Sequence, residues 1–167
     1  MKNLRLVFTI ISFILTVNSL CQTNEKLKIL LDTIKNIDYD ITPNIAIKKN
    51  LIGSNIIWVG KIDTIEINTI KKKLQLIFYC THFYFDTISK ELICSKKMKL
   101  KKLGDGNFTC SIISESMTIN DANNAVRKLY EKSSPYIFTI GKVECSENKF
   151  GKKYINIKSY NFYTFHL

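Results

Sequence analysis

The sequence predicts a mainly β domain: a small five-stranded barrel with one helix between strands three and four, preceded by a leading N-terminal helix. Three observations predict it. Beyond Pro43 the apolar residues recur with period two, the spacing of half-buried strands. The first strand slips phase once, as a β-bulge makes it do. One stretch at helical spacing, Asp121–Lys132, interrupts the strands after the third. The chain has 167 residues, 46% hydrophobic and 11% aromatic, a composition that argues against disorder and is large enough for one buried core.

The start of the chain reads as a secretory signal. Lys2 and Arg5 precede the apolar run Leu6–Val17, and Ser19-Leu20-Cys21 leads into Gln22 and a polar stretch; this is the basic, apolar and small-residue order of a cleaved leader. The apolar run is about 12 residues, against the roughly 20 that span a bilayer as a helix. The expected division is residues 1–21 as signal peptide, 22–41 as a leading amphipathic helix and linker, and 42–167 as the barrel, with no transmembrane span in the mature chain. Two fates fit Cys21. Ser19 and Cys21 occupy the small positions read by ordinary signal cleavage, which leaves Gln22 first. Lipidation of Cys21 is the alternative, although Leu20 is larger than the residue that usually precedes a lipid-accepting cysteine.

The elements follow in order. Leu27, Leu30, Leu31 and Ile34 put an apolar stripe on one face of a helix over Thr23–Ile37, and Pro43 ends the linker behind it. Asn55–Ile67 alternates through Ile56, Trp58, Gly60 and Ile62, then resumes out of phase at Ile65, with Gly60 relieving crowding near the bend. Leu74–Phe85 is apolar on both faces and reads as a central strand. Glu91–Lys102 reads as an exposed or edge strand bearing outward lysines. Gly104-Asp105-Gly106 is a turn signal before the third main strand, Asn107–Ile113. Asn120 or Asp121 caps the helix that follows. Tyr136–Cys145, a hairpin turn within Glu147–Lys153, and the aromatic-rich Tyr154–Phe165 complete the chain. This order, with its bent first strand, is that of the five-stranded Greek-key barrel called the OB-fold.

A family resemblance adds to this reading. Thr42-Pro43, Asn50, Gly53 and Trp58-Val59-Gly60-Lys61-Ile62 resemble the opening of the starvation-inducible outer-membrane lipoprotein family (Slp). Gly104–Phe108 is similar to that family's Gly-rich entry to strand three, and Ile140-Gly141-Lys142-Val143 to its Val-x-Gly-x-Val strand. The final aromatic strand also has a counterpart, so the resemblance runs from Thr42 to Leu167. Val59 departs from it, standing where the first of two paired glycines would be, and so does Leu20 before Cys21. The resemblance implies a cell-envelope role, in the periplasm, at the outer membrane or secreted, and it transfers no active site.

Charge and chemistry narrow the function classes. The formal net charge is +11, and loss of residues 1–21 removes two basic residues and no acidic ones, leaving +9. Such a balance favours anionic partners, yet Arg127 is the only arginine left, whereas readers of phosphate and bases use arginine's planar fork. Cys80, Cys94, Cys110 and Cys145 survive cleavage; in an exported chain they could form disulfides, in any of three pairings, or remain buried thiols. They show no metal-ligand spacing, and no cofactor motif is present. His82 and His166 lie in strand contexts without a positioned nucleophile. A ligand face built from Tyr79, Phe83 and Tyr84 with Lys97, Lys99 and Lys101 would combine stacking with charge; the commoner use of such aromatics is to fill the barrel or pack under the leading helix. The sequence therefore leads to a non-catalytic, exported envelope protein whose barrel binds an envelope-protein partner or serves envelope maintenance, associated with the outer membrane peripherally or through a lipid anchor. The alternative is an exported module that binds an anionic polymer, single-stranded nucleic acid or acidic glycan.

Overall fold

A computed structural model describes residues 37–38, 41–70, 73–85, 100–131 and 134–166 of the chain. It is mainly β. A two-residue strand, β1 (Ile37–Asp38), precedes five long ones: β2 (Asn55–Ile70), β3 (Lys73–Phe85), β4 (Leu100–Ser114), β5 (Pro135–Lys149) and β6 (Lys152–His166). Two helices accompany them, α1 (Pro43–Lys49) and α2 (Ile119–Tyr130), the latter between the third and fourth long strands. The strand order is β1-β2-β3-β4-β6-β5, with a further pairing of β2 with β5. All neighbours are antiparallel except β1–β2 and β4–β6.

The long first strand serves two partners because it bends. Asn55–Lys61 pairs with Lys142–Tyr136 of β5, while Val59–Ile70 pairs with Phe83–Lys73 of β3. Between them the register shifts at Ile62/Thr64, leaving Asp63 as the extra residue of a bulge and reversing which side chains face inward. The phase slip in the sequence marks this bend. Gly60 sits just before it, and a Cβ there would lie 2.6 Å from Cε1 of Phe108, so the close approach of that ring requires glycine.

The core lies between the inward faces of the long strands. Ile56, Trp58, Ile62, Leu74, Leu76, Phe78, Cys80, Phe108, Cys110, Ile137, Val143, Ile155 and Ile157 form one buried cluster, joined by Ala46 of α1 and Ala122 of α2. Trp58 is its largest member; its Nε1 donates to the Ile41 carbonyl at 2.7 Å, so burial leaves the indole N–H satisfied. Where β2 meets β5, Ile57, Val59, Phe138 and Ile140 are buried as well. That pair is apolar on both faces, like a strand pair covered on both sides.

Several local expectations are corrected. The chain after Pro43 is not all strand: Thr42 caps α1 by accepting from the Ile45 N–H at 3.3 Å, Pro43 takes the first turn, and Asn50 closes the helix in a left-handed conformation at φ 50°. Gly104-Asp105-Gly106 is not a turn between two strands but part of continuous β4. Register places Asn107 opposite Thr81 and Leu103 opposite Phe83, so three residues of β4 face His82 alone, in a wide bulge. The α2 cap is Thr118, whose hydroxyl accepts from the Asp121 N–H while the Asp121 carboxylate accepts from the Thr118 N–H, a capping box. Ile37, expected to end the leading helix, begins β1; the rest of that helix and the leader lie outside the described residues. The β5–β6 turn narrows to Phe150 and Gly151 between the paired Lys149 and Lys152.

Candidate ligand face

Alternation along β3 sends Phe78, Cys80 and His82 to the core side and Tyr79, Thr81 and Phe83 to the other. Cross-strand register extends the outer set into one row: Thr64 of β2, Tyr79 of β3, Thr109 of β4, Asn156 of β6 and Cys145 of β5 stand opposite one another in turn. The outer face is polar and its side chains bond mainly to one another. The Thr81 hydroxyl donates to Asp63 Oδ2 at 2.6 Å, and its oxygen lies 3.4 Å from Oδ1 of Asn107. The Thr109 hydroxyl donates to Asn156 Oδ1 at 2.7 Å, and Asn156 Nδ2 donates to Cys145 Sγ at 3.3 Å. Asp63 stands on this face by alternation from the inward Ile62, and the bulge turns Thr64 and Glu66, which follow it, to the same face.

One end of the face is covered by the β5–β6 hairpin. The Tyr79 hydroxyl donates to Glu66 Oε2 at 2.8 Å, and Lys149 Nζ donates to the same oxygen at 3.0 Å. The Tyr79 ring meets Phe150 and Tyr154 edge-on, each at 5.1 Å between centroids, and Lys149 Nζ stands 5.8 Å from its centre. Electrostatics follows the contacts. Hydrogen bonds from Lys149 and Tyr79 hold the Glu66 carboxyl below its ordinary pKa. Burial and the Glu66 carboxylate push the Tyr79 phenol up to about 12, and the bond to Glu66 raises the Lys149 ammonium. These shifts keep the carboxylate and ammonium charged and the phenol neutral at pH 7.

Of the sequence-predicted ligand residues, Tyr79, Phe83 and Tyr84 stand in three different surroundings. Tyr79 is buried beneath the hairpin, the Phe83 ring meets Tyr136 at 5.6 Å, and Tyr84 packs on His82 at 5.3 Å on the core side. Lys101 falls within β4, while Lys97 and Lys99 lie outside the described residues, as do Cys21, Gln22 and Cys94. Cys80, Cys110 and Cys145 are free thiols, the first two buried. Desolvation raises both buried thiols well above the usual thiol value, which makes them poor nucleophiles. Sequence reasoning missed Thr109, Lys149 and Asn156 and gave the separated acids Asp63 and Glu66 no role, because only the register of five strands brings them together.

His82 is a polar side chain buried on the core side. Its ring is 4% exposed, between Trp58 at 6.0 Å and Tyr84, and Nδ1 has no hydrogen-bond partner among the described residues. A Cβ on Gly104 would stand 2.0 Å from that Nδ1, so the wide bulge of β4 exists where the imidazole needs room. Burial lowers the His82 pKa to about 4, with Asp105 opposing the shift; the ring is neutral at pH 7. Asp105 in turn accepts from Asn44 Nδ2 at 2.6 Å, tying the bulge to α1.

Among the described residues no group of His, Cys, Asp or Glu could hold a metal ion, and no helix is long and apolar enough to cross a membrane. No protein-family model matches the chain, and no curated protein matches it.

Proposed function

We propose that the chain is an exported cell-envelope protein whose five long strands close as an OB-like barrel, and that it binds a partner, without catalysis, on the outer face of β3 and β4. The barrel reading is supported by the pairing sequence β2-β3-β4-β6-β5-β2, which returns to its first strand, and by α2 between the third and fourth long strands, as in that fold. The binding reading is carried by the row Asp63, Thr81, Asn107 and Asn156, with Thr109 buried beneath it. It is a stretch of hydrogen-bonding side chains on rigid strands, opposite the core, with no nucleophile and base set against each other. The leader-like start and the resemblance to the outer-membrane lipoproteins favour the envelope as its place of work.

A photo-crosslinking residue at Ser111, beside Thr109 on the same strand, tests both parts. Crosslinks to an envelope component, absent when the probe sits at Lys128 on α2, are the expected result. A protein that stays in the cytoplasmic fraction, or gives the same products from both positions, overturns the reading.

One observation favours the second reading, binding of an anionic polymer. Lys142 and Lys158 stand directly opposite each other in the β5–β6 ladder, where like charges repel unless an anion lies between them. Retention on heparin or single-stranded DNA that falls steeply with salt would support it.

A further inference from the structure

The β5–β6 hairpin tip is built differently from an ordinary tight turn. Its two central residues, Phe150 and Gly151, have φ of 53° and 69°, the double positive φ of a type I′ turn, whose first position normally belongs to Asn, Asp or Gly. A bulky aromatic in the left-handed region is an outlier that the surrounding structure must enforce. Here the enforcement is visible: Lys149 is tied to Glu66, and the Phe150 ring leans edge-on against the buried Tyr79. The brace does not bury the aromatic, because Phe150 remains 60% exposed. Lys152 and Lys153 follow it, both exposed. The nearest acids along the hairpin are Glu147 and Glu144, back along β5; Glu66 is already paired with Lys149. The tip thus offers one fixed, exposed ring followed by two lysines whose charges no described contact absorbs.

From this arrangement we infer that the hairpin tip docks on an anionic lipid surface, with Phe150 entering the headgroup boundary and Lys152 and Lys153 meeting lipid phosphates. An aromatic ring gains from leaving water at the bilayer interface, and lysines near an anionic leaflet gain from its negative potential. The absence of arginine at the tip favours this over nucleic acid, which is gripped by planar guanidinium groups as well as stacked rings. The fixed geometry matters because a ring held outward in advance loses little freedom on docking. The inference deepens the envelope reading and rests on it: it supplies a peripheral mode of membrane contact that needs no lipid on Cys21.

Phe150→Trp tests it directly, since the chain's only tryptophan, Trp58, is buried and supplies a constant background. The full chain is mixed with phosphatidylcholine vesicles that contain or lack phosphatidylglycerol and carry brominated acyl chains. Expected are a blue shift of the new emission and its quenching, with the anionic vesicles only. The double variant Lys152→Gln/Lys153→Gln, which keeps Phe150 and the turn, should need about tenfold to thirtyfold more anionic lipid for half-binding in co-sedimentation, at roughly a kilocalorie per lysine. Lys48→Gln/Lys49→Gln on α1 removes the same charge elsewhere and should change little. No quenching, an equal loss from the α1 variant, or displacement of the tip from vesicles by a stoichiometric single-stranded oligonucleotide would each overturn it. Failure here with the Ser111 crosslinks intact removes only the lipid inference. Vesicle insertion by a protein found in the cytoplasmic fraction removes the envelope reading instead.

Discussion

On the core side of β3, His82 is buried with one ring nitrogen unpaired among the described residues; one and three positions earlier, on the opposite face, Thr81 and Tyr79 each donate to a carboxylate. The two faces are built from the same backbone but solve desolvation differently. The core side tolerates a polar ring by keeping it neutral and giving it a glycine to lie against, while the outer side keeps its charges and pairs them. An unpaired buried polar atom costs stability without compensation, so the core side should respond strongly to substitution and to acid. The outer side, where the polar groups have partners and Asp63 and Glu66 stay at least partly solvated, should respond less to both.

The largest expected effect is on the core side. Trp58→Ala removes the biggest core side chain and the hydrogen bond to Ile41, and should lower unfolding free energy by about 3–5 kcal/mol in urea denaturation. A loss below about 1 kcal/mol would mean that the centre of the core lies elsewhere.

Next comes the acid response. The folded His82 pKa of about 4 lies below the ordinary 6.5, so the unfolded chain binds the proton first as pH falls. The stability that rests on the neutral ring is therefore full above pH 6.5, declines between 6.5 and 4, and is exhausted below that range, a change of about 3 kcal/mol. His82→Leu should flatten that part of a stability-against-pH curve. A slope unchanged by the substitution would show that another group titrates there.

The outer side gives smaller numbers. Tyr79→Phe removes one hydrogen bond to a carboxylate and should cost about 1–2 kcal/mol. Glu66→Gln, which weakens a half-exposed ion pair, should cost about 0.2–1 kcal/mol, and less in high salt. Because the folded Glu66 carboxyl titrates below the ordinary 4.5, its contribution is present above that value and fades as pH falls past it. The Glu66 and His82 variants should thus alter different stretches of the same curve. If Glu66→Gln proved the more damaging, the contrast between the two faces would be reversed.

Part of this arrangement is legible in the sequence. The alternation through Ile56, Trp58, Gly60 and Ile62, broken before Ile65, marks both the bend of β2 and its bulge, because a period of two makes a single extra residue visible. The spacing of Ala122, Ala125, Val126 and Leu129 marks α2. The helix α1 is too short to show a period, although Thr42, Pro43 and Asn50 carry its start and stop. Gly104-Asp105-Gly106 has the composition of a turn; it is strand because the His82 ring occupies the space opposite, a demand that arises only once β3 and β4 are paired. The outer row and the Glu66, Tyr79 and Lys149 contacts depend on residues up to 83 positions apart, and no local pattern announces such partners.

The parallel pairing of β4 with β6 covers only Asn107–Cys110 against Tyr154–Ile157, whereas β5 and β6 are laddered along nearly their whole length. The hairpins β2–β3 and β5–β6 join residues near in sequence and can assemble early, but this short seam must wait for both, since its partners lie far apart along the chain. Of the two seams that join distant strands, β2–β5 and β4–β6, it has the fewer rungs and is the one expected to release first in a partial opening. Amide exchange at Asn107–Cys110 faster than at the neighbouring rungs of β3 would reveal it, and every row that crosses from β4 to β6, including Thr109 with Asn156, would come apart there together.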